Sequence, residues 1–586
     1  MNFRHPLAIV LIASIACLAA GFTATPFWDE DEPRFAAIAQ TMLDTGNWVV
    51  PMYNDTLAVD KPVLMHWCMA ACFTLFGTSE IAARLPAALA TLATALALLR
   101  AGTRWFDPTA GVIAALAYVG CLLVGIESHA ATPDAILTAL TAWATLLAAE
   151  AFLPDHAAGK PQPAGRSSML RATLVGGLMG LAVLCKGPIG YIGPLAVLMP
   201  WAWWTLLERR LTATSTGPAT VGELFTTALA TVFETIRNTR LVTMTAAMLA
   251  VAAPWYVSVG LRTAGAWPTG FFFIHNVGRF AAPMEKHGGS VLYHPFGMLV
   301  GFFPWSCFLP LAIVVTGWRL WKRRDEPGVA HVQALMLFWL FVWVGAFSAA
   351  ATKLPNYIMP AYPAAALLVG AQAAAAMSRG RWAHPGWMAS GLGWLAFGGI
   401  ATSATVLVAT RFGLTGAEPT AVVGLVPVLG AAACLWCARR EPRQAIAAFA
   451  VTALVYTSLT IGPAGAWMAR ANALPVLVRE AHRHAGGHAR LGAYTQNTPN
   501  IVFYAHGHVE EWTREQPEAA AEFLASGADA VVIVPEHRFA DLADRLPAGC
   551  GVVGRARPLF LKHDFLLLGT TPPGATRSAA TGSLTR

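Results

Sequence analysis

Charge is the scarcest thing in this sequence. Asp, Glu, Lys and Arg make up 12% of its 586 residues, about half of the ~25% usual in soluble domains. With 56% of residues hydrophobic, a chain folding in water could not cover its surface with charge, so a soluble enzyme is excluded. The net charge of +8 is no nucleic-acid footprint, because the basic residues sit in short loops between apolar runs, where they set membrane orientation. Cysteine is sparse too, with nine residues, mostly inside apolar runs. Cys434 and Cys437 form a lone CxxC, and Cys68 and Cys72 lie one helical turn apart. A zinc ribbon needs paired CxxC motifs, so both pairs read as packing cysteines. No Gly-rich phosphate loop occurs, which argues against a nucleotide-using enzyme. An internal repeat is missing as well, which counts against a transporter built from inverted halves.

What is present is a series of apolar runs, each about twenty residues and long enough to cross a hydrocarbon core of roughly 30 Å. They centre near 15, 92, 118, 143, 179, 197, 250, 307, 342, 366, 398, 428 and 453, which predicts a polytopic α-helical membrane protein with about 13 transmembrane helices. The first run, Pro6 to Ala24, has the basic start and Ala-rich centre of a signal peptide. It leads into further spans and reads as a retained helix. With the amino terminus inside, the basic clusters fall on one side: Arg100 and Arg104, Lys160 and Arg166, Arg209 and Arg210, Lys322 to Arg324, Arg379 and Arg381, and Arg439, Arg440 and Arg443. That bias predicts a cytoplasmic amino terminus, and an odd number of spans puts the carboxy terminus outside.

Two segments do not fit simple spans. Residues 25–80 form a long outer loop in which Pro33–Asp44 and Pro62–Phe76 have helical periodicity but are too short or interrupted to cross. They read as interfacial helices, with Trp48, Tyr53 and Trp67 at headgroup level. From 464 to 572 the composition becomes ordinary. There ARLGAYT, NIVFYAHG, DAVVIVPE and DFLLLGTT read as strands, and Pro517–Ser526 and Ala540–Leu546 as helices. A small α/β domain is therefore expected outside, after a membrane domain of residues 1–463. Residues 573–586, rich in Thr, Ser, Ala and Gly, read as a disordered tail.

On this topology the unusual polar residues share the outer face. They are the acidic run Asp29 to Glu32, Asp60-Lys61-Pro62, the stretch from Glu127 to Asp134, Lys186-Gly187-Pro188, His275-Asn276 with Arg279, and Thr352 to Tyr357. Each alone has a plain explanation. Charges at span ends snorkel to headgroups, Asp134 can cap the helix it opens, and Asp31 or Glu32 can do the same before Pro33. Taken together, the cations Arg34, Lys61, Lys186, Arg279 and Lys353 and the nearby carboxylates point to one shared polar cavity. Cations there suit a phosphate, and a carboxylate suits a general base or sugar hydroxyls.

The stretch DEPRFAAIAQTMLDTGNWVVPMYNDTLAVDKPVLMHW, followed by FGTSEIAARLPAAL, resembles the first outer loop of the bacterial aminoarabinose (4-amino-4-deoxy-L-arabinose) transferases. These are C-type (GT-C) glycosyltransferases related to protein mannosyltransferases. The shared motifs are Asp31-Glu32-Pro33-Arg34, Gly46-Asn47-Trp48 and Asp60-Lys61-Pro62, and then TPDA, CKGPIG, FFFIHNVGRF and TKLPNYIMPAYP in order. The resemblance covers residues 1–375, and the later spans by hydropathy alone.

The resemblance implies the GT-C fold and inverting transfer of a sugar from a polyprenyl (undecaprenyl) phosphate donor to a periplasmic-side acceptor, in the bacterial inner membrane. Its best match is 4-amino-4-deoxy-L-arabinose to lipid A. The alternatives are another sugar, a protein or polysaccharide acceptor, or, in a different class, a flippase for lipid-linked sugars. The resemblance also implies roles for individual residues. Asp31 would be the catalytic carboxylate, and Arg34 the partner of that carboxylate or of the donor phosphate. Lys61 and Arg279 would hold the phosphate, where fixed cations favour a leaving group gaining negative charge. Asp134 would contact the acceptor, and Lys186, Lys353 and Tyr357 would line the cavity. Family members hold a metal between the acid of the acid-Lys-Pro motif, an outer-loop histidine and a histidine of the tail domain. Here Asp60 stands where glutamate is usual and His275 is offset by a position or more, with His506 and His508 as further partners. Carboxylate and imidazole suit zinc, and satisfied surface histidines are the plain alternative. No other cofactor is implied, since a sugar esterified to a lipid phosphate is already activated.

Overall fold

The structure is a computed structural model that describes residues 5–22, 25–27, 31–153, 166–214, 221–278, 288–323, 325–379, 385–412, 416–469, 472, 474–495, 499–557 and 563–571. All thirteen predicted centres fall on a helix or on a broken helix. In chain order the first are α1 (Pro6–Gly21), α2 (Asp31–Thr45), α3 (Leu64–Phe76), α4 (Glu80–Trp105), α5 (Pro108–Val119), α6 (Leu122–Ser128), α7 (Asp134–Ala149), α8 (Met169–Lys186), α9 (Ile189–Thr214), α10 (Val221–Thr239) and α11 (Leu241–Arg262). Among the described residues eight helices are long and apolar enough to cross a membrane, or nine when α5 and α6 count as one span bent by 66°. The run centred on 307 is also broken. Helices Tyr293–Gly301 and Leu309–Trp321 flank a short 3₁₀ turn at Trp305–Cys307, where Pro304 and Pro310 cannot donate the hydrogen bonds a continuous helix needs.

Local chemistry sets the helix ends. The Asp107 carboxylate accepts from the N–H groups of Thr109 and Ala110 at 2.7 and 3.0 Å, with Pro108 in the first helical position of α5, a standard N-terminal cap. α8 stops at Gly187, whose φ of 80° favours glycine, and a Cβ there would meet the Phe271 ring. Gly176 and Gly180, four residues apart on α8, let α11 approach closely, since a Cβ at either would run into the carbonyl oxygens of Met244 and Met248. This is the small-residue packing that membrane helices use in place of hydrophobic burial.

Helix α10 is an element the apolar runs do not announce. Val221, Phe225, Leu229 and Phe233 recur every four residues and are exposed, while Glu234 pairs with Arg210 of α9 at 2.6 Å. An exposed apolar stripe on a helix between two spans suits a position in the membrane interface.

In the first loop, α2 and α3 match the two expected helices, and a two-stranded hairpin of β1 (Met52–Tyr53) and β2 (Thr56–Leu57) lies between them. Tyr53, expected at headgroup level, packs inside the protein. It is buried, with the Arg34 guanidinium 5.1 Å above its ring.

The carboxy-terminal part holds a five-stranded sheet of β3 (Arg490–Tyr494), β4 (Val509–Trp512), β5 (Ala530–Pro535), β6 (Cys550–Ala556) and β7 (Phe565–Thr570), ordered β4-β3-β5-β7-β6. β4, β3 and β5 run parallel, and β7 pairs antiparallel with both β5 and β6. ARLGAYT, DAVVIVPE and DFLLLGTT form the strands expected of them. NIVFYAHG does not: residues Pro499–Ala505 are a helix. The reason is topological, because β3 and β4 are parallel neighbours and such strands need a crossover connection. The helix at Pro517–Ala525 plays the same part between β4 and β5, and the one expected at 540–546 is shorter, Ala540–Ala543.

Candidate active site

Successive residues on a helix point about 100° apart, and at the start of α2 this separates two acids. Asp31 is exposed, whereas Glu32 is 2% exposed. Glu32 takes a bidentate ion pair from Arg84 of α4, Nε to Oε1 at 2.9 Å and Nη2 to Oε2 at 3.1 Å, and its Oε1 also accepts from the Ala131 N–H at 2.8 Å. The same guanidinium donates to the Thr25 and Pro26 carbonyls at 2.9 and 3.3 Å. Arg84 was not singled out from the sequence. Its signal was there, an arginine inside the apolar run of FGTSEIAARLPAAL, where a buried charge requires a partner. Asp29 and Glu30 lie outside the described residues.

Indole groups fasten the rest of the loop. Trp67 Nε1 donates to the Trp48 carbonyl at 2.9 Å, Trp255 Nε1 to that of Val49 at 3.0 Å, and Trp267 Nε1 to that of Ala58 at 2.7 Å. Trp255, Trp267, Tyr256 and Phe271 pack edge-on, tilted or stacked with centroids 4.8 to 6.3 Å apart. These contacts join residues 47–58 to the end of α11 and hold the loop over a cavity.

That cavity, of about 270 Å³, is lined by Asp31, Asp60, Lys61, Asp134, Lys186, His275 and Tyr357, among others. Residues from six separate motifs thus converge. Asp134 opens α7, but its carboxylate is not the helix cap. It forms an ion pair with Lys186 and accepts from Asn356 Nδ2 at 3.1 Å. Lys186 also lies 5.2 Å from the centroid of the Tyr357 ring. Lys61 is held differently. Its ammonium donates to the Asp60 carbonyl at 3.3 Å, lies 5.9 Å over the Phe35 ring, and makes no ion pair among the described residues.

Arg34 does not line the cavity. Its guanidinium is 3.9 Å from Asp60 Oδ1. Burial penalises the Asp60 carboxylate, but Lys61 and Arg34 outweigh it and hold the group below its ordinary pKa. Lys353 departs from expectation outright. It is 4% exposed and donates to the carbonyls of Phe347, Ser348 and Ala350 at 3.2, 2.6 and 2.6 Å. It therefore satisfies the free carbonyls at the end of helix Pro327–Ala349 instead of lining the cavity. Arg279 lies outside the described residues.

The donors expected for a metal do not converge. Asp60 and His275 line the same cavity, but His506 bonds Gln40 at 3.3 Å and His508 meets Asp55 at 2.7 Å. Among the described residues no three His, Cys, Asp or Glu side chains are placed to share an ion. This donor set does not fit the zinc site that the resemblance implied.

Residues 60–233 match the family model described as dolichyl-phosphate-mannose-protein mannosyltransferase. The undecaprenyl phosphate-α-4-amino-4-deoxy-L-arabinose arabinosyl transferase of Pseudomonas paraeruginosa is 29% identical over 372 residues, 63% of this chain and 60% of the relative. That of Erwinia tasmaniensis is 28% identical over 389 residues, 66% and 62%. The chain thus spans about 60% of the length of the curated relatives it matches. In structure it is similar to ArnT from Cupriavidus metallidurans bound to undecaprenyl phosphate, with a TM-score of 0.74 and 20% identity over 97% of this chain and 98% of that one. The apo state of the same protein gives 0.73.

Proposed function

We infer that this chain, an aminoarabinose-transferase-like protein with the C-type glycosyltransferase fold, moves a sugar from a polyprenyl phosphate donor to an acceptor at the outer face of the bacterial inner membrane. The specific reaction is transfer of 4-amino-4-deoxy-L-arabinose from undecaprenyl phosphate to lipid A. Residues 1–463 form the membrane-embedded catalytic part and residues 464–572 an α/β part on the periplasmic side, with the amino terminus in the cytoplasm. The observation that carries the reading is the cavity, where an exposed carboxylate, Asp31, and a cation with no ion pair among the described residues, Lys61, open onto one space.

The chemistry follows from those two groups. An acceptor oxygen attacks the anomeric carbon, the bond from that carbon to the phosphate oxygen breaks, and configuration inverts. Asp31 aligns the acceptor and takes its proton. The departing lipid phosphate gains negative charge, and Lys61 is placed to stabilise it in a site of low dielectric. Lys186 supplies a second cation, oriented by Asp134, Asn356 and the Tyr357 ring, and Arg279 a third. Arg34 acts through Asp60 to keep the acid-Lys-Pro segment in place. Fixed cations beside the phosphate and one carboxylate beside the acceptor suffice for a direct displacement.

The experiment is mass spectrometry of lipid A from cells with and without the protein. An added amino-pentose that disappears in Asp31→Asn is the expected result, and an unchanged spectrum would overturn the reading. Asp31→Asn should lower turnover by about 10²-fold or more while retaining donor binding. A second reading, a protein acceptor, is favoured by the match of residues 60–233 to the mannosyltransferase family model. Glycopeptide analysis of membrane and periplasmic proteins from the same cells tests it.

A further inference from the structure

Phe27, four residues before Asp31 in the sequence, is held from two sides, and one side belongs to the far end of the chain. Phe27 is fully buried. Its N–H donates to the Tyr504 hydroxyl at 3.2 Å, and its carbonyl accepts from Asn472 Nδ2 at 2.8 Å. Its ring packs edge-on against Phe503 with centroids 4.9 Å apart, and the Arg84 guanidinium covers it at 5.1 Å. The Tyr504 hydroxyl in turn donates to Glu80 Oε1 at 2.8 Å, in the first turn of α4. Donor and acceptor capacity of that hydroxyl are both used. One side chain thus ties together the crossover helix of the carboxy-terminal sheet, the approach to Asp31, and the start of the helix that supplies Arg84 to Glu32.

We propose that Tyr504 is a positioning residue for transfer: through Glu80 at the start of α4, the helix that supplies Arg84 to Glu32, and through Phe27, it sets where Asp31 stands, so the carboxy-terminal α/β part contributes to turnover. This rests on the reading of Asp31 as the catalytic carboxylate. Phe27 is four residues before Asp31, and Glu32 immediately after it is fixed by Arg84. Loosening one of the two anchors lets the carboxylate shift, and a misplacement of about 1 Å costs on the order of 10²-fold in rate. Holding the carboxy-terminal part in place is a different role, and it has other supports: Asn54 Nδ2 donates to the Val509 carbonyl at 2.9 Å, Val509 N–H to Asn54 Oδ1 at 3.0 Å, and Gln40 bonds His506.

Tyr504→Phe keeps the ring packing and removes both hydrogen bonds. In proteoliposomes supplied with polyprenyl-phosphate sugar and lipid A, it is expected to lower kcat by about 10-fold or more, with donor KM unchanged and the protease resistance of the carboxy-terminal part intact. Glu80→Ala should have the same effect, Glu80→Gln, which still offers an oxygen, should restore most of it, and Tyr504→Phe with Glu80→Ala should be no worse than either alone. A kcat within twofold of wild type in Tyr504→Phe overturns the proposal. So does a fall explained entirely by loss of folded protein, with Glu80→Ala giving the same test if Tyr504→Phe fails to fold. Asp31→Asn measured in the same assay separates the two claims. Turnover by Asp31→Asn sinks the reading of the site itself, whereas an inactive Asp31→Asn beside a normal Tyr504→Phe sinks only the positioning role.

Discussion

Asp31 and Glu32 are adjacent in the chain and opposite in environment, and the difference decides their chemistry. Glu32 is paired with Arg84, while Asp31 lines the cavity. The cations divide in the same way. Lys186 is engaged by Asp134, whereas Lys61 meets a carbonyl and an aromatic ring and makes no ion pair among the described residues. Lys61→Ala should therefore raise the apparent donor KM at least severalfold with a smaller effect on acceptor KM, as titration of donor in a reconstituted assay would read; a charge-assisted contact contributes about 1.5–3 kcal/mol. Asp60 gives a pH signature. Its pKa is held below the ordinary value by Lys61 and Arg34 against the penalty of burial. Its stabilising contribution is thus present above the ordinary carboxylate range, near pH 4, and is lost as pH falls through the lower folded value. Asp60→Asn removes that contribution, so its unfolding midpoint should change less between about pH 5 and 3 than that of wild type in detergent melts.

Among elements, the end of helix Pro327–Ala349 shows how a motif lysine can serve the backbone. Lys353 meets three carbonyls that the helix cannot satisfy internally. Lys353→Ala is expected to cost about 2 kcal/mol of stability, seen as a lower melting temperature, with donor and acceptor KM unchanged. A raised donor KM at unchanged stability would instead return Lys353 to the cavity wall. The crossover helix Pro499–Ala505 is the other instructive element. Ile501, Val502 and Phe503 are all buried, so one stretch is covered both by its own sheet and by the first loop. A run of apolar residues of that length reads equally as strand or helix, and only the parallel pairing of β3 with β4 decides.

For the whole molecule, the first loop is the hub. It is joined to the end of α11 by indole hydrogen bonds, to α4 by Arg84, and to the carboxy-terminal sheet by Asn54 and Tyr504. The cavity and the carboxy-terminal part must then share one membrane face. A reporter active only in the periplasm, fused after residue 571, should be active. Cysteines placed near Arg104 and Arg440 should react with a membrane-impermeant reagent only in inverted vesicles. The reverse labelling would invert the topology and place the cavity on the cytoplasmic side.

The membrane class, the thirteen helical centres and the gathering of motifs around one cavity were legible in the sequence because each depends on local features: the length of an apolar run and the spacing of residues in a short motif. Lys61, Asp134, Lys186 and Tyr357 were found in this way, and they do converge. What tertiary structure alone decided was pairing. Arg84 meets Glu32 across 52 residues and Tyr504 meets Phe27 across 477, Lys353 turns to its own helix end, and His506 and His508 meet Gln40 and Asp55 instead of Asp60. A buried polar group takes whichever partner the fold brings within about 3 Å, and no local pattern in the chain records that choice.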